Sequence, residues 1–328
     1  MLEIDWSQKS GWEKPTIHEF ANLNLSPASV VFRYGSECFE GLKAYKDKNG
    51  EIRMFRPMKN MDRLYLSAER LALPTFDKNE VLECMKKLVK IDSSWIPRER
   101  GYSLYIRPTL IATQDTLGVG PSAKAKFFTI MSPVGPYFKS GFAPVSLVAD
   151  NRYARAWPGG VGSFKVGGNY APCIKPQLEA ATRGYHQNLW LFGEELTEVG
   201  TMNCFVFWKN ENGERELITP HLDGTILPGV TRDSILTLTR EWKEFKVTEG
   251  RVTMSQLIRA IKENRLIEMF GAGTACIVCP IERINYKGID YKIPIDENLK
   301  AGKLTKRLMD TILAIQYGEV DHEWSIKL

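Results

Sequence analysis

Two stretches in the first third of the chain carry apolar residues at the spacing of an amphipathic helix. In 58–72 and again in 79–91, apolar positions recur every three or four residues. Residues at that spacing lie on one side of a helix, so each stretch can bury one face. Asp77 precedes the second stretch and suits an N-cap, because its carboxylate can accept hydrogen bonds from the first turn. The pattern therefore predicts helices over 58–72 and 79–91.

Short apolar runs predict strands around and beyond these helices, because runs of four to eight apolar residues between polar or Gly/Pro residues are typical of buried strands. Further helices are expected to begin near Thr231 and at Thr253, where Thr253 and Gln256 fit a capping box. Strand-like and helical stretches together predict a mixed α and β protein. The predicted strands cover 30–34, 51–55, 102–107, 127–134, 145–149, 188–192, 204–208 and 266–270.

Length and composition favour two globular domains. The chain has 328 residues, 43% of them apolar, which is enough for two separate cores. Residues 135–144 read GPYFKSGFAP, and such a Gly- and Pro-rich segment is typical of a linker between domains.

Charge and cysteine content argue against several classes of protein. The net charge of +5 comes from 44 basic and 39 acidic residues without a long basic block, so neither nucleic-acid nor membrane-surface binding is expected. No apolar stretch is long enough for a membrane span, and the opening MLEIDWSQKSGWEKP resembles no targeting peptide. Six cysteines in a chain of this length do not suggest a disulfide framework, so a cytoplasmic location is expected.

The search for chemistry leads to segments flanked by glycine. No P-loop, HExxH or GxSxG motif is present, and Gly271–Cys276 fails the GxGxxG pattern at its last position. The four histidines are far apart, and nothing in their spacing supports a metal site. In Gly159–Tyr170, by contrast, Lys165 lies among five glycines. Burial in such a place can make a lysine amine nucleophilic, although this segment by itself fits an ordinary lysine in a flexible surface loop better.

Three other segments could serve a cofactor that contains a ring and a phosphate. Glu198 in LTEVGTMN (196–203) could keep a pyridine nitrogen protonated and make the ring an electron sink. The turn at 227–234 leads into a predicted helix start, and Gly271–Thr274 follows a predicted strand, so both could bind phosphate through backbone N–H groups. Taken singly, the glutamate could be a solvated strand end and each turn an ordinary turn.

Eight strings taken together closely resemble the branched-chain aminotransferases, which are fold-type IV pyridoxal-phosphate enzymes. The resemblance covers nearly the whole chain, and GNYAPCIKPQ (168–177) is similar to the eukaryotic members. The strings are RYGSECFEGLKAY (33–45), FRPMKNMDRL (55–64), YIRPTLIAT (105–113), TLGVG (116–120), FKVGGNY (164–170), LTEVGTMN (196–203), LDGTILPGVTRDS (222–234) and GAGTACIVCP (271–280).

The resemblance implies a cofactor site for pyridoxal 5′-phosphate. Lys165 would be the catalytic residue, forming a Schiff base and moving the proton between the substrate α-carbon and the cofactor. Glu198 would pair with the pyridine nitrogen and Tyr170 with the phenolic oxygen, while Arg155 would act through its neighbours. The implied phosphate ligands are Arg63, Val230, Thr231 and Thr274.

The resemblance also implies the substrates, L-leucine, L-isoleucine or L-valine with 2-oxoglutarate, and a homodimer in which Leu117 and Val119 reach the partner's site. An apolar pocket suits the branched side chains, whereas glutamate needs polar partners such as Arg107. The implied substrate-binding residues are Tyr34, Phe39, Tyr105, Arg107, Leu117, Val119, Thr201, Thr274 and Ala275.

The fold that the resemblance implies is α+β with two domains. A small α/β N-terminal domain would cover 1–135, a linker 136–146, and a larger pseudo-barrel C-terminal domain 147–328. Cys276 and Cys279 are similar to a pair that acts as a thiol–disulfide switch in mammalian-type members, although two packed thiols fit the same pattern. A lone CxxC is weak evidence for zinc.

Three other functions stay open at the level of sequence. A D-amino-acid aminotransferase or an aminodeoxychorismate lyase would use the same fold, but these relatives lack LTEVGTMN and GAGTACxxCP in this form. A thiol-redox protein on a former enzyme scaffold would need only the CxxC pair. The presence of Lys165, Glu198, Tyr170 and Arg63 together argues against it.

Overall fold

A computed structural model describes residues 1–137 and 142–328 of the chain. Positions 138–141 of the expected linker lie outside the described residues. The chain divides into two compact units, and the segment that carries Lys165 belongs to the first although its flanks in the chain belong to the second. The first unit comprises Met1–Pro136, Phe164–Gly168 and Leu313–Leu328, and the second comprises Tyr137–Ser163 and Asn169–Ile312.

The helices confirm the periodic patterns, and α3 begins after Asp77, whose carboxylate accepts from the N–H groups of Asn79 and Glu80. The capping box between Thr253 and Gln256 is also present. In the described residues no helix is long and apolar enough to cross a membrane. The helices are α1 (Val31–Tyr34), α2 (Pro57–Arg70), α3 (Lys78–Ile91), α4 (Ile174–Thr182), α5 (Val230–Trp242), α6 (Met254–Lys262) and α7 (Lys303–Gln316).

The strand predicted over 30–34 is wrong, because Val31–Tyr34 form the single-turn helix α1, with Val30 as its N-cap. Gly35 ends this turn in a left-handed conformation with φ 56°, and its N–H donates to the carbonyl of Val31. The run lacks the helical periodicity of a longer helix, and only the glycine after it indicates where the turn closes.

Strands form at each of the other predicted runs. Several short strands near the N-terminus carry too few apolar residues to be found by pattern alone. The strands are β1 (Leu2–Ser7), β2 (Gly11–Trp12), β3 (Thr16–Ile17), β4 (Glu37–Phe39), β5 (Leu42–Lys46), β6 (Ile52–Phe55), β7 (Ser103–Ala112), β8 (Lys124–Val134), β9 (Val145–Asp150), β10 (Gln187–Phe192), β11 (Glu195–Val199), β12 (Met202–Lys209), β13 (Arg215–Pro220), β14 (Lys246–Gly250), β15 (Leu266–Gly273), β16 (Ile277–Tyr286), β17 (Ile289–Lys292) and β18 (Ser325–Lys327).

The first unit is built on an antiparallel sheet in the order β18-β6-β5-β7-β8-β1-β2, with β3 against β1 and β4 against β7. Helix α2 packs against α3 and β4. Apolar side chains such as Met61, Met85, Ile106 and Phe127 are almost completely buried in this unit. The buried face of α2 also carries the polar residues of the site described below.

The second unit contains a closed ring of six strands. Strand β9 pairs with β10, then β11, β12, β15 and β16 follow, and β16 pairs with β9 again. Closure leaves the ring without a free edge, and β13 and β14 extend from the far end of β12. The ring combines parallel and antiparallel strand pairs, and both units contain helices. These features confirm the α+β, pseudo-barrel fold class.

Candidate active site

The backbone of Lys165 is fixed on both sides within the first unit. Its N–H donates to Ser67 Oγ at 2.9 Å, and its carbonyl accepts from the N–H of Phe39 at 3.1 Å. The next residue, Val166, forms a bridge with Cys38 of β4. Lys165 Nζ lies 5.0 Å from the centre of the Phe39 ring. The lysine is therefore held against β4, which an ordinary lysine in a surface loop would not be.

Arg63 is buried on α2 and forms an ion pair with Glu40, which the sequence reasoning missed. Its Nε and Nη2 donate to the two carboxylate oxygens at 2.5 and 2.8 Å. Asn60 Nδ2 and the N–H of Gly41 donate to the same carboxylate at 2.8 and 3.0 Å. Burial raises the pKa of Glu40, but the charge and hydrogen bonds of Arg63 outweigh it, so the pKa lies below its ordinary value. The signal in the sequence was a charged residue between the apolar positions of β4 and β5.

Phe39 contacts a second cation, Arg107 of β7. The Arg107 guanidinium carbon lies 4.8 Å from the Phe39 ring centre, and Nη2 donates to the Tyr105 hydroxyl at 2.9 Å. A Cβ on Gly41 would come within 2.0 Å of that hydroxyl, so a larger residue at position 41 would displace the Tyr105 ring. The Phe39 ring thus has Lys165 Nζ and Arg107 beside it, and an apolar surface adjoins a cationic group that can bind a carboxylate.

Tyr34 lies with the loop that carries Leu117 and Val119. Its hydroxyl donates to the carbonyl of Leu117 at 2.5 Å. Within the single chain these side chains are exposed, by 43% for Tyr34, 68% for Leu117 and 81% for Val119. Large apolar side chains exposed together are typical of a surface that meets another molecule.

In the second unit, Glu198 is buried and paired, so it is not a solvated strand end. Its Oε2 lies 3.0 Å from Arg155 Nε, and its Oε1 accepts from the N–H of Leu227 at 2.8 Å. Arg155 Nη1 also donates to the carbonyl of Thr225 at 2.9 Å. Only 2% of Glu198 is exposed. A guanidinium and a backbone N–H therefore face this buried carboxyl group, and both contacts favour a carboxylate over a neutral acid.

The start of α5 lies beside Asn203, the residue opposite Glu198 in the β11–β12 pair. The helix begins at Val230, one residue before the predicted start, and Gly229 before it provides no side-chain cap. A Cβ on Gly229 would lie 2.0 Å from Asn203 Oδ1, and Asn203 Nδ2 donates to the carbonyl of Leu227 at 2.8 Å. The N–H groups of Val230 and Thr231 therefore open a 13-residue helix without a side-chain cap, an arrangement that suits a phosphate.

The barrel brings the remaining predicted segments of this unit together. Glu198 lies opposite Asn203 in the β11–β12 pair, and Asn203 lies opposite Ala272 in the β12–β15 pair. The turn that contains Thr201 passes close to Gly273, whose Cβ would lie 4.0 Å from the Thr201 carbonyl oxygen. Three further predicted residues lie in turns: Thr274 and Ala275 between β15 and β16, and half-buried Tyr170 directly before the helical turn Ala171–Cys173.

Cys276 and Cys279 are both buried thiols without a disulfide. Cys276 Sγ lies 3.3 Å from Met202 Sδ. Burial, with a smaller contribution from Cys276, raises the pKa of the Cys279 thiol, which disfavours the reactive thiolate. A redox role for this pair stays a prediction. Within 1–137 and 142–328, no group of three or more His, Cys, Asp or Glu residues could hold a metal ion.

Comparison with known proteins places these residues in a family. Residues 37–284 match the model for amino-transferase class IV. The chain is 60% identical over 327 residues to the branched-chain-amino-acid aminotransferase of Dictyostelium discoideum, covering 99% of this chain and 86% of that one. It is 53% identical to the cytosolic branched-chain-amino-acid aminotransferase of Mus musculus, covering 100% of this chain and 85% of that one. Relatives of similar identity include a mitochondrial enzyme of Schizosaccharomyces pombe.

A solved structure extends the comparison to the fold. The T.th. branched-chain amino acid aminotransferase, complexed with N-(5′-phosphopyridoxyl)-L-glutamate, is 25% identical, with a TM-score of 0.74. The match covers 98% of this chain and 97% of that one. The resemblance inferred from the eight strings, including its eukaryotic character, is confirmed. This chain belongs to the class IV aminotransferases and, within them, to the branched-chain-amino-acid aminotransferase family.

Proposed function

We propose that this chain catalyses reversible transfer of the amino group between L-leucine, L-isoleucine or L-valine and 2-oxoglutarate. The products are the branched-chain 2-oxo acid and L-glutamate. The observation that carries the proposal is 60% identity, along 99% of the chain, to a branched-chain-amino-acid aminotransferase. A relative of known structure was solved with a phosphopyridoxyl adduct of glutamate, which supports glutamate as the second substrate.

The residues present fit pyridoxal phosphate as the resident cofactor. The uncapped start of α5, where Gly229 leaves no space for a side chain, suits a phosphate. The phosphate would be bound there by Val230 and Thr231, with Arg63 and Thr274 as further ligands. When bound, the cofactor supplies an aldehyde and a ring that withdraws electrons from the substrate α-carbon.

Glu198 would face the pyridine nitrogen, and Tyr170 would donate to the phenolic oxygen. The role of Glu198 is supported by its burial and by Arg155 at 3.0 Å, because a guanidinium beside a buried carboxyl group favours the charged carboxylate. A fixed anion stabilises the protonated ring nitrogen. Arg155 therefore acts on the cofactor through Glu198.

Lys165 would bind the cofactor aldehyde and then move the proton. When its Nζ is not bonded to the cofactor, it would accept the proton from the substrate α-carbon and hold it for return, as general base and then as general acid. The hydrogen bonds to both sides of the Lys165 backbone support this role, because proton transfer requires an amine in a reproducible position. The Phe39 ring beside Nζ would help to exclude water.

One pocket would have to accept both an aliphatic and an acidic side chain. Phe39, Thr201 and Ala275 would line its apolar part, and Arg107 with Tyr105 would meet the carboxylate of glutamate. The close approach of Arg107 to the Phe39 ring supports this arrangement, since the apolar and cationic surfaces are neighbours. Leu117 and Val119 would complete the site of a second copy in a homodimer, which agrees with their exposure.

A cytoplasmic location is part of the proposal, and relatives occur both in the cytosol and in mitochondria. Fractionation of cells that express the tagged chain tests it. Co-sedimentation with mitochondria would contradict a cytoplasmic location.

The decisive test combines substrate and cofactor. Purified protein with pyridoxal phosphate is expected to form glutamate from 2-oxoglutarate with each of the three branched L-amino acids, and not with their D-enantiomers. Lys165→Ala is expected to lose both activity and the visible absorption of the bound cofactor. Lys175→Ala, at an exposed lysine of α4, is the control and should keep both. No glutamate from any L-substrate, or activity with D-amino acids alone, would overturn the proposal.

A further inference from the structure

The segment Phe164–Gly168 is embedded in the first unit beyond the single residue Lys165. Val166 bridges to Cys38 of β4. A Cβ on Gly167 would lie 2.1 Å from Glu37 Oε1, so any side chain at position 167 would displace this carboxylate. The lysine thus lies in a strip of backbone that is fixed on either side of it.

Ser67 is the side chain that binds the Lys165 amide. Its Oγ accepts from that N–H at 2.9 Å and donates its own proton to the carbonyl of Arg63, also at 2.9 Å. A hydroxyl has one proton and two lone pairs, so both bonds can form at once. Ser67 is 0% exposed, and water therefore does not compete for either bond.

Two hydrogen bonds in series thus connect Lys165 to Arg63. In the proposed function these residues bind opposite ends of one rigid cofactor, the aldehyde and the phosphate. The distance between them must then match the cofactor, and a connection that fixes both backbones would maintain it. Ser67 lies one helical turn after Arg63 on α2, which is where a side chain can reach back to the carbonyl four residues earlier.

We propose that Ser67 is a positioning residue that fixes Lys165 relative to Arg63 so that the lysine amine meets the cofactor aldehyde. The inference rests on the proposed function. As a positioning residue, Ser67 touches neither substrate nor cofactor and acts through the backbone of Lys165. Its removal therefore affects the reactivity of the lysine more than the binding of the amino acid.

The test compares Ser67→Ala and Ser67→Cys with a matched control. Cysteine has nearly the shape of serine but is a weak hydrogen-bond acceptor, so it separates packing from hydrogen bonding. The control is Ser103→Ala on β7, because Ser103 is 1% exposed and its Oγ has no hydrogen-bond partner among the described residues. All three variants are compared with the unaltered chain.

Three measurements are made on each protein. Hydrogen–deuterium exchange in the cofactor-free protein reports opening of Phe164–Gly168. Borohydride reduction at timed intervals after addition of pyridoxal phosphate, followed by peptide mass spectrometry, gives the rate of covalent capture at Lys165. Steady-state kinetics with leucine at saturating cofactor separate kcat from KM.

For Ser67→Ala we expect faster exchange in the segment and a fall of about 10- to 100-fold in the capture rate and kcat, since small misplacements of a reacting group cost factors of this size. KM for leucine should stay within about twofold, because a positioning residue does not bind substrate. Ser67→Cys should fall between Ser67→Ala and the unaltered chain, and Ser103→Ala should match the unaltered chain.

Capture and kcat at unaltered rates in a folded Ser67→Ala protein would overturn the inference. If that variant does not fold, Ser67→Cys decides: unaltered capture overturns the inference, and slowed capture at an unchanged melting temperature supports it. Failure of the proposed function is recognised separately, because the unaltered chain would then neither capture the cofactor nor form glutamate.

Discussion

Replacing Glu40 by glutamine should destabilise the protein strongly, although the two side chains have nearly the same size. The carboxylate is 0% exposed and accepts hydrogen bonds from two nitrogens of Arg63, from Asn60 and from the N–H of Gly41. Glutamine offers one acceptor oxygen, and its NH₂ group would face donors. The buried guanidinium would also lose its counter-charge. Removing one partner of a buried ion pair costs about 3–5 kcal/mol.

The expected loss can be measured by urea unfolding at pH 7, followed by tryptophan fluorescence. Glu83→Gln is the control, because it makes the same chemical change at a side chain that is 67% exposed and paired with Lys86. Exposed ion pairs contribute about 0–1 kcal/mol. Because the chemical change is the same at both sites, a larger loss of unfolding free energy for Glu40→Gln than for Glu83→Gln is due to the burial of Glu40.

The effect should also depend on pH with a definite sign. The pKa of Glu40 is lowered in the folded protein by Arg63, against the effect of burial. Its charge therefore contributes stability that is fully present above the ordinary pKa of 4.5 and is lost as the pH falls through the folded value. The difference in unfolding free energy between the unaltered chain and Glu40→Gln should accordingly become smaller in acid. A loss below about 1 kcal/mol at pH 7, or a gap that widens in acid, would refute the reasoning.

Three further predictions concern a cap, a glycine and the thiols. Asp77→Ala should cost about 1 kcal/mol of stability through the first turn of α3, and an unchanged melting temperature would contradict it. Gly229→Ala should weaken pyridoxal phosphate binding, measured by equilibrium titration, because its Cβ would meet Asn203 Oδ1 at 2.0 Å. Cys276 and Cys279, if redox-active, should form a disulfide under mild peroxide with loss of activity. Mass spectrometry detects the disulfide, and a transaminase assay measures the activity of the same samples. Absence of a disulfide would contradict a redox role for the pair.

The pattern of residues over short stretches of the chain was sufficient to predict many of the helices and strands. The apolar period of 58–72 and 79–91, the cap at Asp77 and the capping box at Thr253 all depend on residues within one or two turns of each other. The caps are hydrogen bonds between near neighbours, and the apolar period is a pattern of the sequence itself, so both can be recognised without the tertiary structure. The eight strings determined the family for a different reason, since a cofactor site restricts residue types at many positions at once.

The tertiary structure alone decided which polar groups meet. Glu40 lies 23 residues before its partner Arg63, and Ser67 lies 98 residues before its partner Lys165. No local pattern in the sequence identifies either pair. Closure of the barrel through β9 and β16 and the placement of Phe164–Gly168 in the first unit are likewise long-range events. A buried polar group must find a hydrogen-bond partner wherever the fold brings one. The sequence by itself therefore determined most of the elements and the family and predicted Lys165 as the reactive lysine, whereas only the packing of distant segments determined what holds Lys165 in place.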